Sequence, residues 1–119
     1  MNPSNSSHSD TFPARLADVL LNIEVELRRI GLWDASPPDL RALRSAQPFC
    51  YDTLTLAQWL QWICLPRMKR LLEEGGELLG KSEILPFAEE SFRDMAPECG
   101  ALLKYIGEFD TLINERSQG

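Results

Sequence analysis

The sequence predicts an all-α fold, a small bundle of four to five helices with a Pro-kinked central helix. Three observations support this. Apolar residues recur at steps of three and four near both ends of the chain, lining single helix faces. No window alternates apolar and polar residues in the manner of a strand. Gly31, Pro37-Pro38, Pro48 and Gly75-Gly76 punctuate the periodic stretches as helix stops and starts, while Pro66 falls inside one.

Residues 1–11, MNPSNSSHSDT, are polar and rich in Ser and Asn, the composition of a disordered N-terminal tail. Residues 12–116 follow as one helical domain. Leu16, Val19, Leu20, Ile23, Leu27 and Ile30 form the first stripe, and Gly31 ends it in the left-handed conformation. Trp33, just past that stop, is placed to fold back over the helix end. Ser36-Pro37-Pro38-Asp39 reads as a second start, with Ser36 as N-cap and a short helix closing near Ala46. Pro48 disfavours helical geometry at Gln47, so 47–52 reads as an ordered connection carrying Phe49 and Tyr51 into the core.

A third helix starts at Thr53 or Thr55, where Thr55 and Gln58 match a capping box, and runs to Glu74 before Gly75-Gly76. A loop to Ser82, a helix over Pro86–Met95 and a last helix from Pro97 to Glu115 complete the order. Cys99, Leu102, Leu103, Ile106, Phe109 and Ile113 form the last stripe.

The third helix holds the unusual residues. At 100° steps its stripe is Leu56, Leu60 and Ile63, flanked by Trp59, Cys64 and Leu71; Trp62 falls outside, beside Gln58 and Gln61. Two readings of Trp62 fit: packing beneath another helix, or forming a partner or ligand surface with the two glutamines. Pro66 lacks the donor of a helix interior and its ring clashes with the Trp62 carbonyl, at a cost of roughly 3 kcal/mol. Arg67 falls in line with the core stripe and so requires a partner, with Asp52 the first candidate. Either a buried Arg67–Asp52 pair fixes the kink, or Arg67 is presented at a cleft to bind an anion. The second alternative predicts a small-molecule or anion-binding pocket at the Trp62–Pro66–Arg67 kink, bordered by Tyr51.

Acidic residues outnumber basic ones 18 to 12 in 119 residues, a net charge of −6 that disfavours direct nucleic-acid binding. Cys50, Cys64 and Cys99 are too widely spaced for a zinc site and read as reduced thiols of a cytoplasmic protein; no cofactor is expected. The lone histidine, His8, lies in the tail, so no cysteine gains a catalytic base and the chain reads as no enzyme. No apolar run reaches membrane-spanning length. Residues 75–82 match the letters of a phosphate-binding loop but follow a helix instead of a strand, and read as a surface loop.

Gln47-Pro48-Phe49, Asp52-Thr53, Trp59-Leu60-Gln61-Trp62-Ile63 and Leu65-Pro66-Arg67-Met68 together resemble the YqcC-like family of small bacterial proteins. The family pattern is QPF-x-x-DT followed by EWLQW-[VI]-x-[IL]-PRM, and the chain departs from it at Gln58, where the family has Glu. A weaker echo covers Ile84 to Glu90. The resemblance implies an all-α cytoplasmic protein of a proteobacterium, with no established catalytic residues. Family members are often encoded beside a tRNA pseudouridine synthase, which implies a link to tRNA modification. The function expected is therefore a non-catalytic interaction or accessory module. Its partner would be a tRNA pseudouridine synthase or another protein, and its binding residues Trp62, Arg67, Gln58, Gln61, Tyr51 and Asp52. Oligomeric state is not legible.

Overall fold

The computed structural model describes residues 11–76, 80–95 and 97–118, with side chains given to residue 116. The expected tail, apart from Thr11, and three residues of the loop after Gly76 lie outside the described residues. Every regular element described is helical.

Helix α1 spans Phe12–Arg29 and is capped by Thr11, whose hydroxyl accepts from the Ala14 amide. Its stripe is as expected: Leu16, Val19, Leu20, Ile23 and Leu27 are buried. Gly31, at φ +79°, lets the Leu32 and Gly31 amides turn back to the Leu27 and Arg28 carbonyls at 2.8 and 3.2 Å. Both orphan carbonyls are thereby satisfied. Trp33 folds back as anticipated, its ring 4.5 Å beneath the Arg28 guanidinium.

The second helix is shorter than the sequence suggests. α2 spans Leu40–Leu43, and its N-cap is Asp39, which accepts from the Arg41 amide; Ser36 does not serve. A 3-10 turn, Pro48–Cys50, follows. Phe49 and Cys50 both adopt left-handed backbone, at φ +55° and +50°. Such geometry is costly for residues with a Cβ and persists where neighbours enforce it. Here they do: the Phe49 ring meets Trp59 edge-on at 4.9 Å and stacks on Phe87 at 4.9 Å. The twist buries Cys50 and turns Tyr51 outward, 55% exposed, where the sequence placed it in the core.

The central helix comprises α3 (Leu56–Trp59), a π turn (Leu60–Cys64) and α4 (Leu65–Glu74). The Thr55–Gln58 capping box forms in both directions, at 2.9 and 3.1 Å. Pro66 is accommodated by the π turn, in which the Leu65 amide reaches back five residues to Leu60. The proline then stands in the first turn of α4, where a missing amide costs little. A π turn consumes one extra residue, so every side chain beyond it lags its α-helical position by about one step. Cys64, Leu65 and Met68 consequently take the inward face and Arg67 is exposed. This overturns the core placement of Arg67, which rested on uninterrupted 100° steps. The Arg67–Asp52 pair is not formed; Asp52 accepts instead from Ser45 Oγ at 2.5 Å.

Helix α5 (Ile84–Ser91), a 3-10 turn (Arg93–Met95) and α6 (Gly100–Gln118) follow; α6 starts three residues later than expected. α6 packs on α1 and α5, and α4 lies against α1. Lys69 joins α4 to α1 through Glu24 at 3.3 Å. Burial alone would raise the Glu24 carboxyl, but hydrogen bonds from Arg28 and Lys69 outweigh it and hold it low. Cys99, Leu102, Ile106, Phe109 and Ile113 are buried as expected. Asp110, 8% exposed, lies within the same helix. It accepts from the Ile84 amide at 3.1 Å, the Leu85 amide at 2.7 Å and Ser82 Oγ at 2.6 Å. α5 has no side-chain cap of its own, so Asp110 supplies one from 25 residues away.

Candidate functional site

The glutamines beside Trp62 fasten the loop after α1. Gln61, 5% exposed, accepts from the Asp34 amide and donates to the Asp34 carbonyl, both at 2.8 Å. Its amide thus pairs with the backbone N–H and C=O of one residue, as a residue of a neighbouring antiparallel strand would. Gln58 completes the capping box with its oxygen and donates to Asp34 Oδ2 at 3.2 Å. Neither amide is free to meet a ligand. Trp62 is half-buried, and its indole Nε1 is occluded without a hydrogen bond among the described residues.

A groove of about 520 Å³ opens on the other side of the central helix. Phe49, Trp59, Cys64 and Met68 line it together with Phe109 and Ile113 of α6. Cys64, Ile84, Phe109 and Ile113 are buried core residues, so the groove reaches the core. Burial pushes the Cys64 thiol up to about 12 despite the nearby Arg67 charge, and the thiol stays protonated and unreactive. Arg67 and Arg70 of α4 and Lys81 before α5 supply cations to the rim, with Glu74 and Glu83 beside them. None of the three cations forms an ion pair among the described residues.

Of the residues expected to bind, the groove therefore contains Arg67 alone. Tyr51 and Trp62 do not line it, and Asp52, Gln58 and Gln61 are engaged within the fold. Phe49, Trp59, Met68, Arg70 and Lys81 line the groove and were not among the binding residues the sequence singled out. Phe49, Trp59 and Met68 carried a signal, since they, like Arg67, stand in the motif blocks that carry the family resemblance. Lys81 and Ser82, the last letters of the phosphate-loop pattern, border the groove as well. The Ser82 hydroxyl is held by Asp110 and its amide by Asn114 at 2.8 Å, which leaves neither to cradle a phosphate. The described residues contain no cluster of His, Cys, Asp and Glu fit to hold a metal. None of the described helices is long and apolar enough to cross a membrane.

Fold and groove together define a small all-helical domain with a core-deep, cation-rimmed cleft. The chain belongs to the DUF446 family, whose model is described as tRNA pseudouridine synthase C and matches residues 15–112. It is 37% identical over 95 residues to an uncharacterized protein of Haemophilus influenzae, covering 80% of this chain and 89% of that one. Uncharacterized protein YqcC of Escherichia coli is 31% identical over 91 residues, covering 76% and 84%. The solution NMR structure of YqcC matches with a TM-score of 0.77 at 29% identity, over 89% of this chain and 91% of the other. A shorter stretch of 54 residues, 45% of this chain, is 44% identical to part of a Pectobacterium carotovorum protein named tRNA pseudouridine synthase C. That stretch is 14% of the Pectobacterium protein.

Proposed function

We propose that this domain is a non-catalytic interaction module that works with a tRNA pseudouridine synthase and engages it through the groove beside Arg67. The observation that carries this reading is the groove itself. Its apolar floor combines aromatic rings with a methionine, and arginines stand on its rim, a composition favoured at protein interfaces. The three thiols are buried and so are not presented as nucleophiles. The family description and the Pectobacterium protein of that name support this choice of partner. A related stretch lies within a protein of that name, and such linkage would keep two modules at high effective concentration.

Affinity purification of the tagged chain from its native organism tests this. A tRNA pseudouridine synthase is the expected co-purifying protein, lost when Arg67→Glu and Met68→Glu are combined. A purification in which that synthase never exceeds the untagged background would end the reading. A second reading, a small anionic ligand in the same groove, is favoured by its volume of about 520 Å³, which falls in the range of ligand clefts.

A further inference from the structure

We infer that the groove receives an amphipathic helix of the partner whose apolar stripe is edged by acidic residues. This rests on the interaction reading above and specifies what the partner must present. The walls are helical: α4 contributes Met68 and Leu71, and α6 contributes Phe109 and Ile113. No strand edge exists among the described residues to pair with an extended peptide. A helix laid into such a cleft uses anchors at i, i+3 or i+4 and i+7.

Charge complementarity specifies the edges of that helix. The chain carries −6 overall, so an acidic segment is repelled by most of its surface. At the groove it meets Arg67, Arg70 and Lys81, whose charges are not neutralised by any ion pair among the described residues. The first amides of α5 are already taken by Asp110, so side-chain cations are the groups left to receive carboxylates. Glu74 and Glu83 share the rim and make it selective. Carboxylates of the incoming helix belong opposite Arg67, Arg70 and Lys81, and neutral or basic residues opposite the two glutamates. A second copy of this chain, or a single fatty-acid molecule, are the competing occupants.

The test uses the full chain and two labelled synthetic helices of about five turns. They share one apolar stripe; one is edged by Glu, the other by Lys. Fluorescence anisotropy should show the Glu-edged helix binding roughly tenfold more tightly than its twin at low salt. Arg67→Glu combined with Lys81→Glu should reverse that order. Both residues are exposed, and an unchanged circular dichroism spectrum confirms that the variant folds. Equal binding of the two helices, or an order unchanged in the variant, overturns the proposal. So does dodecanoate binding without helix binding, or a dimer in sedimentation that the charge reversals dissociate and the Glu-edged helix does not. If the helix binds as expected but no synthase co-purifies, the partner identity fails and the docking inference stands. If the synthase co-purifies with the Arg67→Glu, Lys81→Glu variant but is lost with the Arg67→Glu, Met68→Glu variant, the acidic-edged helix fails and the interaction reading stands.

Discussion

The side-chain amide of Gln61 and the backbone N–H and carbonyl of Asp34 exchange two hydrogen bonds, each 2.8 Å long, across 27 residues of sequence. The contact ties the irregular segment after α1 to the middle of the central helix. It also accounts for a polar residue in the π turn that is only 5% exposed. Gln61→Leu keeps the volume but leaves the Asp34 N–H and carbonyl without partners. Urea denaturation should show a loss of about 2 kcal/mol. The Asp34 amide should exchange with deuterium faster than its neighbours on α1.

Asp110 should be the more sensitive of the two buried polar residues. Asp110→Ala removes an acceptor from the Ile84 and Leu85 amides and from Ser82. Losing a helix cap and stranding a buried amide together predict about 2–3 kcal/mol. Ser82→Ala should cost less, about 1 kcal/mol, because both amides keep their carboxylate. Thermal melts of the two variants check the ranking.

The buried Cys64 thiol predicts alkaline destabilisation. Its ordinary value is 9.0 and burial raises it to about 12. The unfolded chain therefore gives up this proton at lower pH than the folded one. Its contribution to stability is whole below pH 9 and disappears as pH rises towards 12. Cys64→Ala should flatten that part of the stability–pH curve while costing some packing at every pH. Under native conditions a thiol reagent should label Cys50, Cys64 and Cys99 only at the rate of opening, as all three are buried.

Two glycines make an opposed pair. Gly31 has φ +79° with open space around its missing Cβ, so Gly31→Ala should destabilise by about 1 kcal/mol through backbone strain alone. Gly100 opens α6 with equal space and no left-handed φ. Gly100→Ala should stabilise by about 0.5 kcal/mol. Denaturation midpoints of opposite sign check the pair.

The left-handed Phe49 is the strained element of the groove. Phe49→Ala retains the strain and loses both ring contacts, predicting a loss of about 3 kcal/mol. Phe49→Gly loses the same contacts but releases the strain, and should be less destabilised by about 1 kcal/mol. An equal cost for both variants would show that the turn is not strained.

How far the sequence could be read depended on the distance between interacting groups. The stripes of α1 and α6, the Gly31 stop, the Thr55–Gln58 box and the Gly75 stop are local. Each involves residues within about two helical turns, where spacing and residue chemistry suffice. Reading Arg67 failed for a local reason of another kind. A constant helical pitch through Pro66 places it on the core stripe, and the π turn spends one extra residue before it. Tyr51 points outward instead of into the core because two successive left-handed residues, Phe49 and Cys50, turn the connection just before it. Gln61 and Asp110 were legible only as polar residues on apolar helices, since their partners lie 25 or more residues away.

By itself, then, the sequence determined an all-α chain of the YqcC type, its helix boundaries to within a few residues and the motif-bearing central helix. Those properties follow from short-range periodicity, capping and backbone preference. Only the tertiary structure decided that Pro66 is absorbed by a π turn, that Arg67 stands at a groove rim, and that Gln61 and Asp110 bind distant backbone. The physical reason is that a buried amide or carboxylate must be satisfied by whichever backbone groups the packed helices bring within hydrogen-bonding distance. Packing, not spacing along the chain, selects those groups.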